Sequence, residues 1–366
     1  MSPYNPRQVL EVKVGDPPQR TRSGTDGSAG ELPATNTSPI DDGSHLLECI
    51  SIRQEAVGVK TFEFRLPRSN GSNNETGSLK WPFLPGQYAS FEFNPANLHS
   101  PPGLSTGVRS QQYQASTPIM RTWTVSSHPL EASHTGSFNI SIKRAGLVSS
   151  WLHDSLTPGM ALQFRGFGGD FTPALLSTEA GAGGPARGVL LLAAGIGITP
   201  IVPILRDLLL MSPQQGATTV RRDPPTPILV CYWVRTAAEA AFAGELAAMV
   251  NQAAGAECPI HLLLCVTDPT ILMAAESGGS GAKQAFMAML EKNIIDSPHL
   301  TFAAGRISSA MLSSVQFSPA LGGGNAPLSL TGWQSMACGP STFMKAVEAA
   351  AVVLGIVAVH TESFSY

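Results

Sequence analysis

From Leu46 the chain alternates apolar and polar positions in short bursts. LLECISIRQEA and VKTFEFRLP place β-branched or aromatic residues at every second position, the period of a strand with one buried face. FLPGQYASFEF, entered through a Pro-Gly turn, MRTWTVSS, SFNISIKR and ALQFRGFGG repeat the pattern. Between the last two, LVSSWLHDSL spaces Leu147, Trp151, Leu152 and Leu156 as a short helix, which Pro158-Gly159 closes. Six short strands with one small helix predict a closed antiparallel β-barrel of Greek-key type over 45–177.

After a Gly-rich linker at 178–187 the period changes. VLLLAA is apolar at every position, as in a parallel strand covered on both faces. A helix over TPIVPILRDLLLM follows, then the strand PILVCYWV and a helix over AAEAAFAGELAAMVNQA, rich in strong helix formers. IHLLLCVTD, a helix from Gly281 to Lys292, HLTFAAGRI, WQSMACGP, STFMKAVEAAAVVLG and IVAVHTESF continue the alternation. Strands alternating with helices predict a doubly wound α/β parallel sheet over 188–366.

Composition narrows the class. Of 366 residues, 13% are charged, about half the usual share, and 43% are hydrophobic, which supports a folded core. Residues 1–44 are polar, aperiodic and rich in Gly, Ser and Thr, and read as a disordered tail. The polar stretches 67–81, 94–118 and 212–227 read as surface insertions. A net charge of -3 without a basic stripe argues against nucleic acid as a partner. The longest apolar runs fall short of the roughly 20 residues of a membrane span, so no integral membrane segment is expected. The first residues lack the apolar core of a secretory signal, which points to the cytoplasm and leaves a mitochondrial address open. The five cysteines show no C-x-x-C spacing, so neither a disulfide framework, a metal site nor an iron–sulfur centre is expected.

The strongest local signal is Gly195-Ile196-Gly197-Ile198-Thr199-Pro200, between the VLLLAA strand and a helix. Small residues let a phosphate approach the backbone, and a helix N-terminus offers free N–H groups. Pro200 stands where a dinucleotide fingerprint has its third glycine, so a tight turn without ligand is the plain alternative.

Five separated stretches then carry a resemblance: PGQY (85–88), RTWTVSS (121–127), IKRAGLVSSWLH (142–153), AAGIGITP (193–200), and CGPSTFM (338–344) with ESF (362–364). In this order they resemble the ferredoxin-reductase-type flavoprotein reductases, over residues 46–366. The resemblance implies an FAD-binding barrel and an NAD(P)-binding domain. It implies that Arg121 meets the FAD pyrophosphate, Trp123 lies near the isoalloxazine and Thr124 near flavin N5. Trp123 stands where the family usually has tyrosine. Tyr88, Thr122, Ile142, Lys143, Gly146, Leu147, Val148 and Ser149 fall in the FAD-binding stretches, with Arg144 adding charge and Phe171 and Thr172 in the closing segment. Ser149 can also be read as the cap of a helix opening at Ser150 or Trp151.

In the second domain the resemblance implies nucleotide binding by Gly195, Gly197, Thr199 and Pro200, and by Cys338, Gly339 and Pro340. Cys338 would lie near nicotinamide C4, although a free cysteine is commonly just a small buried hydrophobe. Glu362 and Phe364 match the terminal E-x-F that lies over the flavin; Thr124, Cys338 and Glu362 are the catalytic candidates. Arg235 and Arg306 follow two strands where the family touches the adenosine half; Arg235-Thr236 resembles NADH users and Arg306 leaves NADPH open. The implied activity is hydride transfer from NADH or NADPH to FAD, with electrons passed to a separate acceptor, a haem or iron–sulfur protein or a small molecule. The alternatives are an FAD-binding carrier or regulatory subunit of a larger redox complex, and a degenerate scaffold.

Overall fold

The alternating stretches form the first sheet. The computed structural model describes residues 45–67, 81–98, 117–176, 187–210, 226–255, 258–268, 280–287, 296–315 and 329–364. The expected tail, nearly all of the linker and most of the three insertions lie outside the described residues. The strands are β1 (His45–Ala56), β2 (Val59–Arg65), β3 (Tyr88–Phe93), β4 (Ile119–Thr124), β5 (Ser137–Lys143) and β6 (Ala161–Gly168). They run antiparallel in the order β4-β3-β6-β1-β2-β5. A bridge between Val125 and Ile140 joins the two outer strands, so the sheet curls back on itself. Its interior is aromatic: Phe62, Phe64, Phe91, Phe138 and Phe164 are fully buried. Short helices α1 (Pro95–Leu98), α2 (Pro129–Thr135) and α3 (Leu147–Ser155) decorate it, where the sequence pattern predicted only the last.

The continuous apolar runs form the second sheet: β7 (Val189–Ala194), β8 (Ile228–Val234), β9 (Ile260–Val266), β10 (Leu300–Ala304), β11 (Gln334–Gly339) and β12 (Ala358–Ser363). All neighbours are parallel, in the order β10-β9-β8-β7-β11-β12. Leu191, Val230, Tyr232 and Leu264 enter one hydrophobic cluster, and Leu190, Leu229, Cys231 and Leu263 enter another. Both faces are therefore covered, which is why these strands carry no polar alternation. The helices are α4 (Ile198–Leu210), α5 (Ala243–Gly255), α6 (Ser280–Met287), α7 (Ser309–Ser313) and α8 (Ser341–Leu354).

One helix expectation is corrected. The alanine-rich stretch after β8 is broken: a 3-10 turn spans Ala237–Glu239, and Phe242 stands at φ 60 before α5 starts. Ala240, Ala241 and Phe242 are buried at this break, so tertiary packing overrides helix propensity. The helix expected over 281–292 is described as far as Met287.

The sheet order reverses between β7 and β11, the topological switch where a crevice opens at the carboxyl ends of the strands. The first sheet packs beside it, within one compact unit, Pro39–Tyr366. Ala56, Val59, Phe171 and Leu176 belong to the same hydrophobic cluster as Ile196, Ile201 and Ile204. Gly86 of the Pro-Gly turn shows why the fit needs glycine: a Cβ there would lie 2.0 Å from the Phe171 carbonyl oxygen and 2.9 Å from Ile204 Cδ1. Ion pairs Lys143–Glu239 (3.4 Å) and Arg206–Glu131 (2.9 Å) and a hydrogen bond between His128 Nε2 and Asp207 (3.3 Å) tie the same seam.

Candidate active site

At this seam lies a cleft of about 220 Å³. Strand β4 lines it with Arg121, Thr122, Trp123 and Thr124, and β5 with Ser141 and Lys143. The turn into α3 adds Ala145, Gly146, Leu147, Val148 and Ser149. From the turn after β7 and the start of α4 come Ile196 and Thr199, and from the segment after β12 Phe364. Arg121, Trp123 and Thr124 of the β4 motif thus share one cleft with the α3 N-terminus and the β7–α4 turn.

Each wall has a local cause. Gly146 caps α3 at φ 106, a backbone that favours glycine, and no atom lies within 4 Å of where its Cβ would be. The Ser150 N–H donates to the Gly146 carbonyl at 3.0 Å, the first bond of α3. The N–H groups of Leu147, Val148 and Ser149 precede it, so they have no partner within the helix. Ser149 is not the cap the sequence suggested, because the helix opens at Leu147. Its Oγ instead accepts from the Ala145 N–H (2.8 Å) and donates to the Gly146 carbonyl (3.2 Å), which fixes the turn.

Arg121 is exposed on the strand, its Nη1 donating to the Met120 carbonyl at 2.8 Å. Trp123 packs its ring 6.0 Å from Phe91 and 5.9 Å from Phe93, so the indole is both core aromatic and cleft wall. A guanidinium, a helix N-terminus and an open glycine form a donor set suited to a diphosphate, with an aromatic face and the buried Thr124 hydroxyl alongside.

The two glycines of the β7–α4 turn divide their work. Gly195 adopts φ 56 with open space on its Cβ side. Gly197 has none: a Cβ would sit 2.1 Å from the Cys338 carbonyl oxygen. Gly195 therefore permits a ligand to approach, whereas Gly197 lets β7 and β11 close at the switch. Thr199 donates from Oγ1 to the Ile196 carbonyl at 3.0 Å and holds the turn.

Behind the cleft, Cys338 and Glu362 are register partners on β11 and β12. Burial, aided by the Glu362 charge, holds the Cys338 thiol well above the ordinary thiol range, so it is a neutral donor toward Glu362 Oε2 at 4.0 Å. Burial also pushes Glu362 up to about 7. Neither lines the cleft; Phe364 does, its N–H donating to the Gly339 carbonyl at 3.4 Å.

The other expected residues stand apart from the cleft lining. Tyr88 pairs with Thr124 and lays its ring against Gly168 and Gly169. Ile142 is buried in the barrel core, and its carbonyl meets His153 Nε2 at 2.9 Å. Phe171 and Thr172 are buried before a 3-10 turn, Pro200 is buried in α4, Gly339 ends β11 and Pro340 stands at the N-cap of α8. Arg144 is engaged by Asp154 in two bonds of 2.6 Å. Arg235 and Arg306 are exposed just beyond the carboxyl ends of β8 and β10. Ser141, Ala145 and Ile196 line the cleft without having been anticipated. Ser141 was legible, since it precedes Lys143 by two positions on one strand face. Among the described residues no cluster of His, Cys, Asp and Glu fits a metal ion, and no helix is long and apolar enough to cross a membrane.

No protein-family model matches the chain. Its sequence is 31% identical over 181 residues to the glycine betaine monooxygenase reductase subunit of Pseudomonas aeruginosa, covering 49% of this chain and 39% of that protein. The chain thus spans well under half the length of the curated relatives it matches. Among solved structures, the flavohem-like FAD/NAD binding domain of nitric oxide dioxygenase from Vibrio cholerae aligns with a TM-score of 0.54 over 87% of this chain and 98% of that chain, at 19% identity. The cytochrome b5 reductase domain of Ulva prolifera nitrate reductase aligns with a TM-score of 0.54 over 91% of this chain and 100% of that chain, at 16% identity. These structures speak for the fold, an antiparallel six-stranded sheet followed by a parallel six-stranded one as in two-lobed reductases of the ferredoxin-reductase type, and over about half of the chain the sequence is similar to that of a reductase subunit.

Proposed function

We propose that the module binds FAD in the cleft, accepts hydride from a nicotinamide nucleotide and passes the electrons to a separate protein acceptor. The carrying observation is the meeting of Arg121, the α3 N-terminus and the β7–α4 turn on one cleft. FAD would supply the conversion of a two-electron hydride into single electrons. Arg121 and the N–H groups of Leu147, Val148 and Ser149 hold the diphosphate, and Lys143 adds positive charge. Trp123 supports the ring system, and Thr124 offers a hydroxyl at N5. The open Gly195 turn, at the carboxyl end of β7, receives the nucleotide, with Arg235 and Arg306 reaching its adenosine half. Arg235-Thr236 makes NADH our choice of reductant. Cys338, a neutral thiol, and Glu362, whose carboxyl is pushed up to about 7, back the nicotinamide position. The similarity to a monooxygenase reductase subunit supports an oxygenase component as the acceptor. The natural setting is then a reducing compartment, the cytoplasm.

Arg121→Ala tests the placement of the diphosphate. Titrating flavin-free protein with FAD should show Kd raised at least about tenfold, equal to roughly 1.4 kcal/mol. Unchanged affinity would overturn the role given to Arg121.

A further inference from the structure

A line of buried hydroxyls leads away from the cleft. Ser141, which lines it, lies 2.7 Å from Thr61 Oγ1 and 2.8 Å from Ser126 Oγ. Thr61 Oγ1 donates to Glu55 Oε2 at 3.0 Å, and Ser126 Oγ donates to the Asn139 carbonyl at 3.3 Å. All three hydroxyls are at most 3% exposed. The Glu55 side chain is 14% exposed and is met by Arg53, itself 51% exposed. The line thus starts at the cleft and ends at a carboxylate that water reaches. Its strands fix it: Thr61 and Ser141 are register partners on β2 and β5, and the β1–β2 register shifts between Gln54 and Ala56, beside Glu55. Bulges of this kind re-aim side chains.

Each hydroxyl has one proton, so the line has two orderings. In one, Ser126 donates to Ser141, Ser141 to Thr61 and Thr61 to Glu55; Ser141 then keeps a lone pair for the cleft. In the other every bond reverses and Ser126 donates to the Asn139 carbonyl. Both orderings use only these contacts; the second requires a proton on Glu55, so they differ by one bound proton, and the hydroxyls rotate between them.

We propose that Ser141, Thr61 and Glu55 conduct protons from the cleft to solvent. The inference rests on the reductase reading above. One NAD(P)H and two one-electron acceptors become NAD(P)⁺, two reduced acceptors and one proton, so each hydride leaves one proton to be disposed of. A proton from the cleft bonds to Ser141 Oγ as the Ser141 proton moves to Thr61 and the Thr61 proton moves to Glu55. Glu55 then releases it to water and the hydroxyls rotate back.

The test uses Thr61→Val, which keeps the shape and removes the hydroxyl, with Thr61→Ser as the rescue and Glu55→Gln as a second break. Protein reduced by NADH is mixed with ferricyanide in weak buffer holding a pH indicator. Flavin affinity and hydride uptake should stay within about twofold of the parent in Thr61→Val, and the flavin potential should be unchanged. Proton appearance should lag electron loss at least about tenfold in Thr61→Val and Glu55→Gln, and Thr61→Ser should restore it. In flavin-free protein the Thr61 hydroxyl resonance should shift on Glu55→Gln. Unslowed proton release in both breaking variants, or a Thr61 resonance indifferent to Glu55→Gln, would overturn the relay alone. A parent chain that binds no flavin would overturn the reductase reading and the relay with it.

Discussion

Burial decides the charge of the two side chains behind the cleft. Cys338 is fully enclosed and Glu362 mostly so, and each is favoured in its neutral form. Folded Glu362 keeps its proton to about 7, whereas an unfolded carboxyl loses it near 4.5. Between those values the folded state binds more protons, so stability from this group falls as pH rises through the window. Glu362→Gln should therefore stabilise flavin-free protein at pH 8 by an amount on the order of 2 kcal/mol and leave it unchanged at pH 4, read by urea unfolding. Equal effects at both pH values would contradict the burial argument. The thiols make a second case. Cys49, Cys231, Cys258, Cys265 and Cys338 are all buried, and burial raises every one, Cys49 to about 12. Iodoacetamide at pH 8 should leave all five unmodified in folded protein and reach them in denaturant, by mass spectrometry. Early alkylation of Cys338 would contradict its placement behind the cleft.

At the scale of elements, glycines separate packing from ligand access. Gly197→Ala drives a Cβ into the Cys338 carbonyl and should cost several kcal/mol, or about 3, because backbone must move. Gly195→Ala meets only its positive φ and should cost about 1 kcal/mol. Denaturant midpoints that reverse this order would contradict the account of the switch. The same comparison shows what the sequence reveals. Period-two alternation betrayed all six strands of the first sheet, and unbroken apolar runs such as VLLLAA and ILVCYWV betrayed the parallel ones. The GIGITP turn was legible as a turn, but the demand on Gly197 was not, since it arises only when β11 lies beside β7. Phe242 is likewise silent in sequence; local propensity favours helix there, and only the packed core explains the break. Ser149 announced a helix start yet missed its position by the few residues that cap signals leave open.

For the whole molecule, one hydrophobic cluster is shared, with Ala56, Val59 and Phe171 of the first lobe packed among Ile196, Ile201 and Ile204 of the second. Urea unfolding followed by tryptophan fluorescence and by far-ultraviolet circular dichroism should give one coincident transition. Two separated transitions would show that the seam contributes little. That seam also holds the central claim, because Arg121 on one side and Thr199 on the other serve a single cleft. The most direct measurement is the visible spectrum of the protein loaded with FAD under anaerobic conditions, before and after one equivalent of NADH and then of NADPH. The account predicts a flavin band near about 450 nm that bleaches promptly with a nicotinamide nucleotide. A chain that binds no FAD, or a bound flavin that stays yellow with both nucleotides, would contradict it.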